Sequence, residues 1–171
     1  YILYIIMSYT STIYNALADK VNVIIPDGYT SIATNAFKGA TSLVTIYIPN
    51  SITIIGNEAF NGATSLTTVT FEAGSNCATF GTFCFFDTSL TTITIPNSVL
   101  SIGEDAFYGA TNLQTVIFEA GSSLIATGIH ATAFVASGLN LVYADPALRL
   151  LMGWSDTESN TIGGKADVYI A

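Results

Sequence analysis

The chain repeats itself, and no other feature constrains its fold as tightly. Ile25-Pro26, Ile48-Pro49, Phe71-Glu72, Ile95-Pro96 and Phe118-Glu119 recur about 23 residues apart. Each pair is followed by a small residue and a phenylalanine, at Ala36-Phe37, Ala59-Phe60, Cys84-Phe85, Ala106-Phe107 and Ala133-Phe134. A third landmark closes the unit: Leu43, Ile46 and Ile48; Leu66, Val69 and Phe71; Leu90, Ile93 and Ile95; Leu113, Val116 and Phe118. A unit this short cannot bury its own apolar face. It must stack on copies of itself, so the chain is read as a solenoid in which each coil covers the next.

The closing residues of each unit alternate with the period of a strand, so Val69 and Phe71 should point into the core while Thr68 and Thr70 point out. One such strand per coil gives a parallel sheet with rungs about 4.8 Å apart. Turn formers follow every strand, at Pro26-Asp27-Gly28, Pro49-Asn50-Ser51, Ala73-Gly74-Ser75 and Pro96-Asn97-Ser98. These turns alternate between Ile-Pro-Asn-Ser and Phe-Glu-Ala-Gly-Ser, so the larger copied unit contains two coils. Glu72 and Glu119 are then expected on one edge, two rungs or about 10 Å apart, as solvated acids or, alternatively, bridged by a cation or cationic partner.

The ends differ from the middle. Residues 1–24 read as an N-terminal cap or degenerate repeat, with Ile13 to Leu17 and Val21 to Ile25 as a shortened unit and Tyr1 to Met7 as an edge strand or the remnant of a targeting segment. Residues 25–143 are the solenoid proper, and 144–171 a C-terminal cap. Leu141 to Tyr143 is predicted to be a strand, and Asp145-Pro146 to start a short helix over Ala147 to Met152 that stops at Gly153. Ser155 to Gly164 reads as a polar loop and Asp167 to Ala171 as a closing strand.

Composition narrows the partners. The chain carries 4 Lys plus Arg against 12 Asp plus Glu, a formal net charge of -8, and only 9% charged residues. It therefore lacks the basic footprint that nucleic acid or anionic lipid requires. No apolar run approaches the roughly 18 unbroken residues of a membrane span. Cys77 and Cys84 fit neither a metal-ligand spacing nor a disulfide framework.

The unit I-P-x-S-[IV]-x-x-I-G-x-x-A-F-x-G-A-T-x-L-x-x-[IV]-x-[IF], clearest at 48–71 and 95–118, resembles the BspA-type leucine-rich repeat. The resemblance covers 25–143, and the strand, Pro-started helix and Trp154 are similar to C-terminal caps of that family. It implies a right-handed, β-rich solenoid of parallel strands. It also implies a secreted or surface-associated protein that binds other proteins or surfaces without enzymatic activity. The third coil departs from the pattern at Asn76 to Asp87 and the fifth at Ser123 to Ala136, where a longer convex segment is expected to bulge.

Catalytic chemistry is sparse. His130 is the only histidine, which excludes His-pair metal sites, and a Ser-His-Asp arrangement would have to borrow Ser137 and Asp145 without a nucleophile elbow. Cys84 stands where other coils have Ala, and Cys77 aligns near Ile52 and Val99; both should face inward as inert thiols. Glu58 and the pair Glu104-Asp105 read as a solvated convex face, and Asp156 and Glu158 as part of a polar loop. No phosphate, dinucleotide, calcium or zinc motif is present, so no cofactor, metal or small-molecule substrate is expected.

What remains is the outward strand face. Coil by coil it reads Val44, Thr45 and Tyr47; Thr67, Thr68 and Thr70; Thr91, Thr92 and Thr94; Gln114, Thr115 and Ile117. This uncharged surface is the candidate binding site, although Thr is also simply a good strand residue. Three functions compete: a non-enzymatic module that docks a protein partner or sits in a larger assembly by this face or a flank; an ice-binding or surface-adhesion protein using the Thr array; and a hydrolase built around His130.

Overall fold

The computed structural model describes residues 8–16, 20–125, 127–154, 160–162 and 165–170. In chain order the elements are β1 (Ser8–Tyr9), α1 (Ser11–Ala16), β2 (Asn22–Ile24), β3 (Ser31–Ile32), β4 (Thr45–Ile48), β5 (Ile54–Ile55), β6 (Thr68–Phe71), β7 (Thr79–Phe80), β8 (Thr92–Ile95), β9 (Ser101–Ile102), β10 (Thr115–Phe118), β11 (Leu141–Tyr143), α2 (Pro146–Met152), β12 (Asn160–Ile162) and β13 (Lys165–Ile170). The expected strands are β4, β6, β8 and β10, and they pair in parallel at the predicted register: Ile46 beside Val69, Ile48 beside Phe71, Ile93 beside Val116. The coils also carry short second strands, and these form their own parallel sheet in the order β1-β3-β5-β7-β9. A further ladder joins the alanine-phenylalanine segments: the Phe37 N–H donates to Ala59 O, Phe60 to Cys84, Phe85 to Ala106 and Phe107 to Ala133, at 2.7–2.8 Å.

The core is a set of columns, one residue per coil. Tyr9, Phe37, Phe60, Phe85, Phe107 and Phe134 are all buried and stack ring on ring, with centroids 4.9–5.3 Å apart and planes within 12°. Glycine is required where adjacent coils touch backbone to backbone. A Cβ on Gly81 would lie 2.7 Å from the Asn57 nitrogen and 2.8 Å from the Gly56 carbonyl carbon, and one on Gly103 would lie 2.8 Å from the Gly81 carbonyl carbon.

Several expectations need correction. The third coil does not bulge between Asn76 and Asp87: β7 pairs with both neighbours, and Glu58 N–H reaches Thr82 O at 2.8 Å. Its extra residues lie earlier, in the turn after β6. The stretch from Phe85 to Leu90 is one residue shorter than that from Phe60 to Leu66. A buried hydroxyl fills the position of Ala63 there, Thr88 Oγ1 donating to Phe85 O at 3.0 Å. The fifth coil repeats this device with Ser137 and Phe134 at 2.6 Å. Its second strand is reduced to one bridge, Ile102 with Ile129.

Phe71 is only partly buried. It lies on β6, at an edge of its sheet, and leans onto Phe80 with centroids 5.8 Å apart. Glu72 and Glu119 have a structural contact besides solvent. Each carboxylate reaches back one coil to a turn, accepting the Asn50 N–H at 2.8 Å and the Asn97 N–H at 3.1 Å. That contact is the physical content of the two-coil alternation.

At the N-terminal end, Ser11–Ala16 is helical, and β1 and β2 carry the strand pairing on either side of it. Tyr1 to Met7 lies outside the described residues, as do Asp156 and Glu158. At the C-terminal end Asp145 caps α2, its carboxylate accepting the Leu148 N–H, with Pro146 in the first turn and Gly153 left-handed at φ 68°. Part of the expected polar loop is strand: β12 runs antiparallel to β13, and Gly163-Gly164, a dipeptide suited to tight hairpins, links them in sequence. No helix of the described residues is long and apolar enough to cross a membrane.

Candidate binding face

The pleat of the main strands sorts side chains into rows. Thr45 and Thr68 are directly paired, as are Thr92 and Thr115; in the next row Tyr47 pairs with Thr70 and Thr94 with Ile117. Thr68, Thr70 and Thr92 are exposed, and Thr45, Tyr47, Thr94, Thr115 and Ile117 are half-buried. Thr67, Thr91 and Gln114 form a third exposed row one residue ahead of β6, β8 and β10. Thr67 Oγ1 donates to Val44 O at 3.3 Å, so part of this row serves the coil beneath.

The array is not continuous. β6 and β8 lie side by side without ladder bonds, and the main sheet divides into β2-β4-β6 and β12-β13-β11-β10-β8. Thr45, Tyr47, Thr67, Thr68 and Thr70 therefore belong to one block, and Thr91, Thr92, Thr94, Gln114, Thr115 and Ile117 to the other. The break falls at the third coil, where β8 follows β6 by 24 residues and the flanking steps are 23.

Both blocks extend beyond the residues read from sequence. Asn22 continues the first row and its Oδ1 accepts from Thr45 Oγ1 at 2.9 Å; Ile24, 72% exposed, continues the second. At the other end Leu141 pairs with Thr115 and Tyr143, 44% exposed, with Ile117. Their signal was in the sequence, one period before Thr45 and one irregular coil after Ile117.

Asn22, Ile24, Thr45, Tyr47 and Thr70 wall a depression of about 290 Å³ floored by Val23 and Ile46. Partial removal from water, then the carboxylates of Glu72 and Asp27, push the Tyr47 hydroxyl above its ordinary range, so it is a hydrogen-bond donor rather than an anion. Apolar contact and hydroxyl hydrogen bonds are what this surface offers.

The reactive residue types lie elsewhere and do not converge. His130 is exposed, and its Nδ1 lies 3.1 Å from Thr132 Oγ1 in a local turn. Cys77 and Cys84 are both free and buried. Burial pushes the Cys77 thiol up to about 12 and raises Cys84 as well, so both are protonated at neutral pH. Among the described residues no three of His, Cys, Asp and Glu come together as a metal cluster would require.

Stacked coils of this length, with columns of buried Phe and Leu, define a leucine-rich-repeat solenoid. Residues 11–140 match the family described as BspA type leucine rich repeat region, in 6 copies, and the chain belongs to that family. It is similar to the Treponema pallidum leucine-rich repeat protein TpLRR, with 28% identity over 74% of this chain and 60% of that one and a TM-score of 0.58. It is also similar to the pneumococcal vaccine antigen PcpA, with 23% identity, 71% and 30% coverage and a TM-score of 0.52. The chain thus spans 60% and 30% of these relatives. No curated protein sequence matches it.

Proposed function

We propose that this protein is a non-enzymatic binding module, secreted or surface-associated, whose strand face docks a partner protein or seats the chain in a larger assembly. The observation that carries this reading is the uncharged face itself. On a chain of net charge -8, every residue of the rows from Asn22 to Tyr143 is neutral, and the nearby acids Asp27, Glu72 and Glu119 follow the strands. A rigid, neutral, partly apolar face meets a partner by close packing. Family membership supports placement at a surface, and the dispersal of His130 and the cysteines supports a role without catalysis.

The test is native mass spectrometry of gently purified material beside a variant carrying Thr70→Arg and Thr92→Arg. A stoichiometric complex that the variant loses is the expected result; recovery of the chain alone at 18.0 kDa overturns the assembly reading. The Thr array is also the basis of the ice-binding alternative, but its division between β6 and β8 breaks the lattice match. Thermal hysteresis should therefore be absent.

A further inference from the structure

On the side of each coil away from the strand face, the residues two before and one after the stacked phenylalanine lie outside the core. The first of these positions holds Asn35, Glu58, Phe83 and Asp105, all left-handed with φ of 60°, 53°, 54° and 51°. Asn and Asp adopt that conformation at little cost, whereas for a bulky ring it is an outlier. Phe83 gains no core packing in return. It is half-buried and packs edge-on against Phe86, centroids 5.6 Å apart at 71°.

Phe86 in turn occupies the second position, where other coils carry Lys38 and Asn61. It lies parallel to Tyr108 at 5.4 Å and 5°, and Tyr108 is 37% exposed. A local rule broken without a packing gain marks a surface kept for something other than folding.

The charges around these rings have one sign. Backbone bonds of the ladder join Glu58 N–H to Thr82 O, Phe83 N–H to Glu104 O (2.9 Å) and Asp87 N–H to Tyr108 O (2.9 Å), so these acids and Asp105 lie on the same stretches of backbone as the rings. The nearby cation Lys38 is already engaged by Glu58. Half-exposed rings on coils that carry acids and little free positive charge suit a planar cation, which can stack on a ring and hydrogen-bond a carboxylate in a fork. We propose that Phe83, Phe86 and Tyr108 form a second docking surface, which takes an arginine-bearing extended segment of a partner protein. This surface is separate from the strand face and does not depend on it.

The test is fluorescence anisotropy of the full chain with short labelled peptides of alternating Gly-Arg, Gly-Lys or Gly-Glu. The Gly-Arg peptide should bind, the Gly-Lys peptide about tenfold more weakly, and the Gly-Glu peptide not at all. The double variant Phe83→Asn, Phe86→Asn keeps every charge and should weaken Gly-Arg binding about tenfold or more. It relieves the left-handed phenylalanine, so its melting midpoint should not fall. Should it fall, Tyr108→Gln serves in its place with the same expectation. The proposal is overturned if the native chain does not bind the Gly-Arg peptide, if Gly-Lys binds as tightly, or if the folded aromatic variant binds undiminished.

Discussion

Ala136 occupies a backbone conformation that its counterparts Gly39, Gly62 and Gly109 adopt freely: φ is 55° at Ala136 and 68–73° at the glycines. The left-handed region costs an alanine about 1–2 kcal/mol, and glycine loses part of that advantage through unfolded-state entropy. Ala136→Gly should therefore stabilise the protein by about 0.5–1 kcal/mol in urea unfolding, while Gly62→Ala should destabilise it by about 1 kcal/mol or more. The motif A-F-x-G makes Gly39, Gly62 and Gly109 legible in sequence; Asp87 and Ala136 are not, because in their coils the following segment is one residue shorter and the pattern shifts.

The thiols make a second prediction at this scale. A thiol reagent at pH 8 should leave Cys77 and Cys84 unmodified in the folded protein and modify both after denaturation. The folded-state value of Cys77, raised from 9.0 to about 12, carries a sign. Its contribution to stability is fully present below pH 9 and is lost as pH climbs toward 12, so the unfolding midpoint should fall over that window.

At the scale of elements, α2 is held at both ends by contacts that sequence announces. Asp145 accepts the Leu148 N–H and the Gly121 N–H, each at 2.8 Å, and these bonds, in that order, hold its carboxyl below the usual range. Because the folded value is depressed, the stabilisation exists above the unfolded carboxylate value and disappears as pH falls through the folded one. Asp145→Asn should lower the melting midpoint at pH 7, and by less as the pH is brought down through the acid range, measured by circular dichroism.

The N-cap signature Asp-Pro and the stop at Gly153 were readable in advance because they are local. The capping of the Gly121 turn was not, since it joins residues 24 apart. The same holds for Glu72 on Asn50 and Glu119 on Asn97, where the alternation of turns was visible and its cause lay in the adjacent coil. The two-residue strands are not legible in sequence because Ser31-Ile32 or Thr79-Phe80 is too short to show a period.

At the scale of the molecule, the stack has a seam. The second-strand sheet and the alanine-phenylalanine ladder run through the third coil, but the main sheet is interrupted between β6 and β8. Amide hydrogens of Thr91 and Thr92 should exchange faster than those of Thr68 or Thr115, which donate to the coil beneath, in native-state exchange followed by NMR. The strand face was legible as far as periodicity carries: Thr45, Thr68, Thr92 and Thr115 fall into rows as the alternation requires. Its division into two blocks was not, because the alternation along one strand says nothing of whether it bonds to the strand of the next coil.

The bonds joining successive coils point along the direction of stacking, so a pull applied between the two ends would load every boundary with the same force. Each boundary yields according to the bonds that cross it. In a protein anchored at one end and gripped by a partner at the other, the strand face could open between β6 and β8 without breaking a ladder bond, while the second-strand sheet and the alanine-phenylalanine ladder held the coils together behind it.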